Sequence, residues 1–374
     1  MLFALLLTAC SAIDQEEAPT PREATKLNVY VYLPERPNVT RADNGEVSPI
    51  DNTVNEAKIT SLQIWVFEHS SKDLVAYYKP ETAPDPTTDR SPVTYLLNVS
   101  DAFDNAVTKP NVDVYVMANV EGYDETTTAT QLDNAMVNGS FGLTQPVMTK
   151  VPDAGLPMTG VKRNVSVGGQ APVFTVPNIE LTRAVSKLRF VMSREIAPEE
   201  QAATPVSKPV QITSIKMNDG MMPTTAYLFL ADDNKKYHVG TSYNSSAFDF
   251  LNGQQLSDIQ KNDDPMAYAY QTGTSAQAYE DLLASGLNEN KLTQVGPYYL
   301  FESDKQLSGV ITFRGPDDSE DRTATFTMSD AGDFTRNHTW TVYAYYGSTR
   351  LEVVTVFVNN WTEYKHPDHP IYNW

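Results

Sequence analysis

The 374-residue sequence predicts an all-β protein built from two tandem antiparallel β-sandwiches, with short helices in the loops. Aromatic residues, which favour strands, are frequent: the chain has 20 Tyr, 14 Phe and 4 Trp. Many short runs of alternating apolar and polar residues are bounded by Gly, Pro, Asp or Asn turns. Long helical apolar patterns are scarce, so repeated short strands explain the chain best.

The chain begins with a short apolar run that ends at its single cysteine, Cys10. A run of about nine apolar residues is too short to cross a bilayer, and its Leu-Thr-Ala-Cys ending matches a bacterial lipobox. We therefore predict that residues 1–9 form a lipoprotein signal peptide and that Cys10 is lipidated. The alternative is an ordinary signal peptide. Because no Lys or Arg precedes the apolar run, we expect the true translation start to lie upstream.

The composition excludes several classes of function. After Cys10 there is no further thiol, so disulfides, Cys-ligated metal sites and Cys nucleophiles are excluded. The formal net charge of -19 repels nucleic acid, which argues against DNA or RNA as a partner. Residues 11–25 are rich in Glu, Pro, Ala and Thr, which predicts a flexible tether.

The first predicted strand spans Lys26 to Leu33 and alternates cleanly. One of its faces is apolar and requires a core to cover it. That face carries Leu27, Val29, Val31 and Leu33. A polar loop follows at residues 35–54 with Pro and Asn-Gly turns, and it carries Arg36 and Arg41. Such a loop is accessible to proteases.

Further strands are predicted along both halves of the chain, with a boundary near Thr182 that separates residues 42–182 from residues 183–374. Short helices are predicted at 129–137 and 275–285. In the first half the strands are expected at 58–67, 74–78, 93–99, 111–119, 170–176 and 179–192. In the second half they are expected at 210–217, 225–230, 298–302, 309–313, 324–328, 339–346 and 351–359.

Catalytic chemistry has little support in the sequence. The two close histidines, His366 and His369, flank Pro367 and have one carboxylate nearby, which is a weak metal-site pattern. The acidic clusters lack calcium-loop spacing, and no G-x-S-x-G nucleophile motif occurs. A pair of glycosidase carboxylates is a spatial feature and stays open. We predict no enzyme activity, no catalytic residue, no metal and no cofactor.

Segments across most of the chain resemble the fimbrillin family, the major pilus subunits of Bacteroidetes also called type V pilins. At the front, the lipobox cysteine, tether and first strand are followed by Thr40-Arg41-Ala42, as in that family. At mid-chain, Leu181 to Leu188 resembles the strand that opens the family's second domain. Near the end, Arg336 to Trp340, then Val356 to Trp361 and a terminal Trp374, resemble its closing pattern.

The resemblance implies two transthyretin-like sandwiches and assembly by strand exchange. A trypsin-like, arginine-specific protease is expected to cut between Arg41 and Ala42 and so to remove residues 10–41 with the first strand. The C-terminal segment of a neighbouring copy would then fill the vacated groove. The donor is expected within residues 351–374, and its candidate residues are Val354, Val356, Val358, Trp361, Tyr364, Ile371 and Trp374.

The implied product is an outer-membrane lipoprotein precursor that becomes part of an extracellular fimbria supporting adhesion and biofilm formation. Its expected partners are other copies in a head-to-tail polymer, anchor and tip pilus subunits, the arginine-specific protease, and host or bacterial surface ligands. Two alternatives stay open for the role: a pilus anchor or tip adhesin, and a surface lipoprotein that binds glycan or protein. Arg36 is the alternative cleavage position.

Overall fold

The computed structural model describes residues 24–33, 56–86, 92–99, 103, 109–137, 147–170, 172–232, 235–261, 292–328, 331–347 and 350–360. Eleven described strands precede the predicted boundary region or end in it: β1 (Lys26–Tyr32), β2 (Leu62–Glu68), β3 (Leu74–Tyr78), β4 (Val93–Asn98), β5 (Val112–Ala118), β6 (Val147–Met148), β7 (Met158–Val165), β8 (Gly168–Gln170), β9 (Val173–Thr175), β10 (Ile179–Glu180) and β11 (Thr182–Arg183).

Eight described strands follow: β12 (Ser186–Arg194), β13 (Gln211–Met217), β14 (Phe248–Asp249), β15 (Thr293–Leu300), β16 (Ser308–Arg314), β17 (Arg322–Thr327), β18 (His338–Gly347) and β19 (Arg350–Asn360). Helix α1 (Ala129–Asp133) starts with a capping box, in which the Thr128 side chain accepts a hydrogen bond from the Gln131 amide. A 3₁₀ helix covers Pro198–Glu200. The all-β fold class is confirmed.

The described strands form four sheets. The first sheet contains β10, β1, β9 and β8, with β4 on the other edge of β1, and the second has the order β11-β7-β5-β2-β3. The third sheet has the order β19-β18-β12-β15-β6, and the fourth has the order β14-β13-β16-β17. β6 therefore belongs to a sheet of the second half although it lies in the first half of the sequence.

The sheets pack face to face in pairs. The rings of Tyr78 and Tyr95 lie 5.6 Å apart between the second and first sheets, and those of Phe190 and Phe326 lie 5.5 Å apart between the third and fourth. At Gly160 the first two sheets approach so closely that a Cβ atom would meet the backbone oxygen of Glu180. A glycine is therefore required there. These contacts give the β-sandwich packing that the sequence predicts.

A buried carboxylate on β5 links this strand to the turn between β2 and β3 and to β7. Asp113 is fully buried, and its side chain accepts hydrogen bonds from Lys72 at 2.6 Å and from the amide of Asn164 at 2.7 Å, and lies 2.6 Å from His69 Nδ1. Burial alone raises the pKa of this carboxyl group. The hydrogen bonds from Lys72, Asn164 and His69 outweigh that effect, so the pKa of Asp113 is lowered overall.

Three strand predictions need correction. The segment 225–230 is not a strand but carries only isolated bridges at Ala226 and Tyr227, because its backbone docks onto residues 135–137 of the first half. The predicted strand 179–192 is divided into β10, β11 and β12, since the chain leaves the second sheet for the third at Ala184. The predicted strand 170–176 is a hairpin of β8 and β9. The helix predicted at 275–285 lies outside the described residues.

Sheet membership changes between Arg183, in β11 of the second sheet, and Ser186, in β12 of the third. The division into residues 42–182 and 183–374 stays a prediction. The structure adds that the two halves are joined by buried polar contacts as well as by the chain itself, as described below.

Candidate functional site

The predicted removable strand, β1, is an interior strand. One edge pairs antiparallel with β4 over six residue pairs, from Lys26 with Asn98 to Val31 with Val93. The other edge pairs parallel with β9 at its start and with β10 at its end. Both edges of β1 are thus occupied by strands that arrive from distant parts of the sequence.

The inward face of β1 is completely covered. Its exposed fractions are 0% for Leu27, Val29 and Val31, and 5% for Leu33. The intervening residues are half-buried or exposed, so the burial pattern alternates with the period of two that a half-buried strand requires. The structure therefore places all four predicted residues on the core face, as the alternation indicated.

Backbone hydrogen bonds extend the pairing of β1 at both ends. The Lys26 amide donates to Pro172 at 2.8 Å, and Thr25 accepts from Val99 at 3.0 Å. At the other end, the carbonyl of Tyr32 accepts from the Leu181 amide at 2.9 Å. Removal of this strand would expose a slot one strand wide, with apolar side chains at its base and unpaired backbone groups along both walls.

The residues on either side of the predicted cleavage loop contact the same short segment of the chain, at Leu181 and Arg183. Arg36, Arg41 and Ala42 lie outside the described residues, between Leu33 and Glu56. Before the loop, Tyr32 is bonded to Leu181, and after it the carbonyl of Glu56 accepts from Arg183 Nε at 3.0 Å. The two ends of the loop are therefore held by residues two positions apart.

Glu56 is the first described residue after this loop, and it is anchored deeply. Its side chain is fully buried, lies 3.0 Å from Lys187 Nζ and accepts a 2.7 Å hydrogen bond from the Tyr299 hydroxyl. Lys187 lies on β12 and Tyr299 on β15, so Glu56 is fixed to the third sheet. Burial lowers the pKa of the neighbouring Arg183 to about 10. Chain downstream of the loop is thereby locked to the second half of the molecule.

A second buried ion pair, within the second half, holds a segment that contacts the first half. Arg336 Nη2 lies 2.6 Å from Glu302, and its Nη1 donates to the carbonyl of Leu228 at 2.6 Å. That same carbonyl accepts from the Thr159 hydroxyl of β7, and the Leu228 amide donates to Ala135. Residues 226–229 thus form an arm of the second half that is pinned against the first half.

The predicted donor region includes β19, an edge strand of the third sheet. Val354, Val356 and Val358 lie on it, opposite Tyr343, Thr341 and Thr339 of β18. Among the described strands β19 pairs only with β18, which also pairs with β12. The remaining predicted positions, Cys10, Trp361, Tyr364, Ile371 and Trp374, lie outside the described residues, as do His366 and His369.

The turn at Arg336 and Asn337 leads into β18, which begins at His338. Asn337 has a positive φ of 57°, and its side-chain oxygen accepts from Arg183 Nη1 at 3.2 Å. Neither the buried ion pair at this position nor the one at Glu56 is predicted by the sequence. The one available signal was the presence of Arg and Lys inside the otherwise apolar segment 183–188.

Within the described parts of the chain, no group of three or more His, Cys, Asp or Glu side chains is arranged to hold a metal ion. Among the described helices, none is long and apolar enough to span a membrane.

The chain is similar to known proteins both in sequence family and in fold. Residues 25–213, half of the chain, match the family model described as major fimbrial subunit protein (FimA). A suspected cell adhesion protein from Parabacteroides distasonis has a similar fold, with a TM-score of 0.51 and 15% identity over 92% of this chain and 99% of that one. No individually curated protein matches the chain.

Two other solved structures are also similar. A suspected cell adhesion protein from Bacteroides eggerthii gives a TM-score of 0.49 at 13% identity, over 91% of this chain and 97% of that one. A fimbrilin from Porphyromonas gingivalis gives 0.44 at 12% identity, over 89% of this chain and 97% of that one.

Proposed function

The chain belongs to the major fimbrial subunit protein (FimA) family, and from that premise we propose that it is a stalk subunit polymerised by strand exchange after proteolysis. As a member of this family it is a subunit of an extracellular fimbria on the cell surface, where it assembles with other fimbrial subunits. The proposal adds a mechanism: cleavage after Arg41 frees β1, and the C-terminal segment of another copy takes its place.

The observation that carries this proposal is the position of β1. It is an interior strand, yet residues 34–55 are the one covalent connection between it and the strands that follow in the chain. Each of its buried apolar side chains contributes roughly 1.5–3 kcal/mol to its retention. A vacant slot of this kind recruits another strand by β-augmentation.

The anchoring of Glu56 supports a cleavage that releases β1 and leaves the rest of the subunit folded. After a cut at Arg41, β1 is no longer covalently linked to the strands that follow, while Glu56 anchors the remaining chain to the third sheet through Lys187 and Tyr299. The processed subunit therefore keeps its fold outside the slot. The tether before β1 and the lipidated Cys10 would hold the unprocessed precursor at the outer membrane until that cut.

β19 has the length and position that a donor needs. It contains 11 residues against 7 in β1, so it spans about 37 Å and overlaps the slot completely at about 3.4 Å per residue. Its last residue, Asn360, lies opposite His338, and its first residue pairs with Gly347. The His338 end is therefore next to Arg336, which belongs with Glu56 and Leu228 to the buried polar contacts at the boundary of the two halves, called the seam below. We infer that β19 peels from β18 starting at Asn360, with its Arg350 end as the pivot.

A head-to-tail contact of this type does not close on itself, so it produces fibres. We also propose that these fibres bind ligands on host or bacterial surfaces and that anchor and tip subunits begin and end them.

The test uses the full-length chain and an arginine-specific protease at limiting dose. Cleavage at Arg41, identified by mass spectrometry, should generate high-mass ladders on gels of unboiled samples. Arg41→Ala should stay monomeric, and Arg36→Ala, the matched control in the same loop, should polymerise normally. Normal ladders from Arg41→Ala would exclude Arg41 as the switch. Absence of ladders from the native chain, together with glycan binding by its monomer, would favour a surface-binding lipoprotein instead.

A further inference from the structure

β4 is the least supported strand of the proposed acceptor slot. Among the described strands it pairs only with β1. β9, on the other side of β1, also pairs with β8, so it keeps a partner when β1 is absent. Departure of β1 therefore leaves the two walls of the slot unequal. β9 stays paired in a sheet, whereas β4 has no strand partner in the described part of the chain.

The directions of these strands allow the slot to close. β4 runs antiparallel to β1, whereas β9 and β10 run parallel to it. β4 is consequently antiparallel to β9 and β10, which is the more stable of the two pairing modes. A shift of about 4.8 Å, one strand spacing, would bring it into hydrogen-bonding distance of them.

The side-chain registers also match across the slot. Leu27 of β1 lies opposite Leu97 on one side and Phe174 on the other, so those two residues face each other when β1 is removed. At the far end, Val93 and Ile179 are related in the same way through the last inward valine of β1. All of these side chains point to the core face, so closure requires no one-residue slip.

We propose that β4 is a movable wall, which closes onto β9 and β10 when β1 leaves and which an incoming strand must displace. This inference rests on the proposed strand exchange and specifies its partner: an extended strand of a second copy that pairs with β4 as it enters. Closure pairs the backbone groups of both walls and covers Leu97 and Phe174, which an open slot would expose to water. The closed form protects a cleaved subunit from indiscriminate aggregation before a donor arrives.

Two outward-facing positions report the width of the slot. Leu96 and Thr175 both lie opposite Asn28, one on each side of β1. In the intact subunit they are two strand spacings apart, about 9.6 Å, which is beyond the 4.4–6.8 Å between Cα atoms that a disulfide tolerates. Closure brings them to about 5 Å. Because Cys10 is the single native cysteine, a chain carrying Cys10→Ser, Leu96→Cys and Thr175→Cys contains only the two reporter thiols.

The experiment cleaves this full-length variant at low concentration and separates monomer from polymer by size exclusion. Mass spectrometry then measures disulfide formation and loss of the β1 fragment in each fraction. The disulfide should form in cleaved monomers at least about tenfold faster than in the uncleaved chain, since only closure brings the thiols within reach. Polymers should stay reduced because the donated strand restores the wide spacing.

A matched variant carrying Cys10→Ser, Asn28→Cys and Leu96→Cys places its thiols directly opposite each other. It should cross-link in the uncleaved chain and prevent release of β1. If cleaved monomers lose β1 but keep both reporter thiols reduced, the movable wall is wrong and strand exchange still stands. A disulfide in the polymer would have the same meaning. A β1 fragment that never leaves the cleaved subunit or its polymers would refute strand exchange itself and, with it, the movable wall.

Discussion

Leu27→Ala should loosen the hold of the slot on β1 without changing the loop that is cut. Leu27 is fully buried and lies between Leu97 and Phe174, which are 2% and 5% exposed. Truncation of a buried leucine costs about 3 kcal/mol, because the lost transfer free energy and the remaining cavity add up. The matched control is Asn28→Ala, on the outward face of the same strand, which should cost less than about 0.5 kcal/mol.

Before cleavage, this cost should appear as a lower free energy of unfolding in urea. After cleavage, β1 is held without a covalent link, so the same 3 kcal/mol corresponds to an affinity of the slot for its own strand that is lower by about 100-fold. Release of the fragment, followed by size exclusion and mass spectrometry, should be faster for Leu27→Ala, and ladders should form sooner. Equal release from Leu27→Ala and Asn28→Ala would refute the claim that burial of this face retains β1.

Three further predictions concern the donor, the seam and the effect of acid. Deletion of Thr362–Trp374 removes the part of the donor region that follows β19 and should leave a folded monomer that cannot elongate, whereas normal polymer on native gels would show that β19 is a sufficient donor without it. Glu56→Ala leaves Lys187 buried without its carboxylate partner, so the free energy of unfolding in urea should fall by about 3–5 kcal/mol. The exposed control Glu121→Ala should change this free energy little. Equal effects of the two substitutions would contradict the anchoring role of Glu56. The pKa of Asp113 is lowered from its unfolded value of about 3.9. Its contribution to the free energy of unfolding is therefore full above about pH 4 and is lost as the pH falls through the lower folded-state pKa. Asp113→Asn should flatten the decline of urea stability between pH 5 and about pH 2, and an unchanged slope would exclude this group as its cause.

The sequence predicts β1 well because one face of this strand is buried and the other faces solvent. A period of two then appears directly in the residue types, and Leu27 to Leu33 are recognisable as a core face. The strand at 74–78 was predicted with the bounds that the structure gives. In both cases the deciding information is local, since turn residues and alternation lie within a few positions of each other.

The seam could not be predicted, because its partners are remote in sequence. Glu56 lies 131 positions from Lys187 and 243 positions from Tyr299, and no local pattern marks a solitary acidic residue after a polar loop as buried. β12 is buried along its whole length, so the alternation that reveals a half-buried strand is missing. The sequence also predicts a strand at 225–230, but the backbone of this segment bonds to residues 135–137 instead.

The sheet positions of β1 and β19 explain why cleavage would be needed for exchange. β1 is paired on both edges, whereas β19 is paired on one edge among the described strands. When β19 enters the slot, it gives up one paired edge, with β18, and gains two. Release of β1 gives up two paired edges, so the exchange of a bound β1 for β19 loses backbone pairing overall. While the loop is intact, β1 also competes at the high effective concentration of a tethered segment. Cleavage removes that advantage, and a lipid on Cys10 would keep the freed strand at the membrane, away from the outgrowing fibre. The tether and the loop therefore act together in this mechanism: the loop determines when the slot opens, and the tether determines that the old strand does not return.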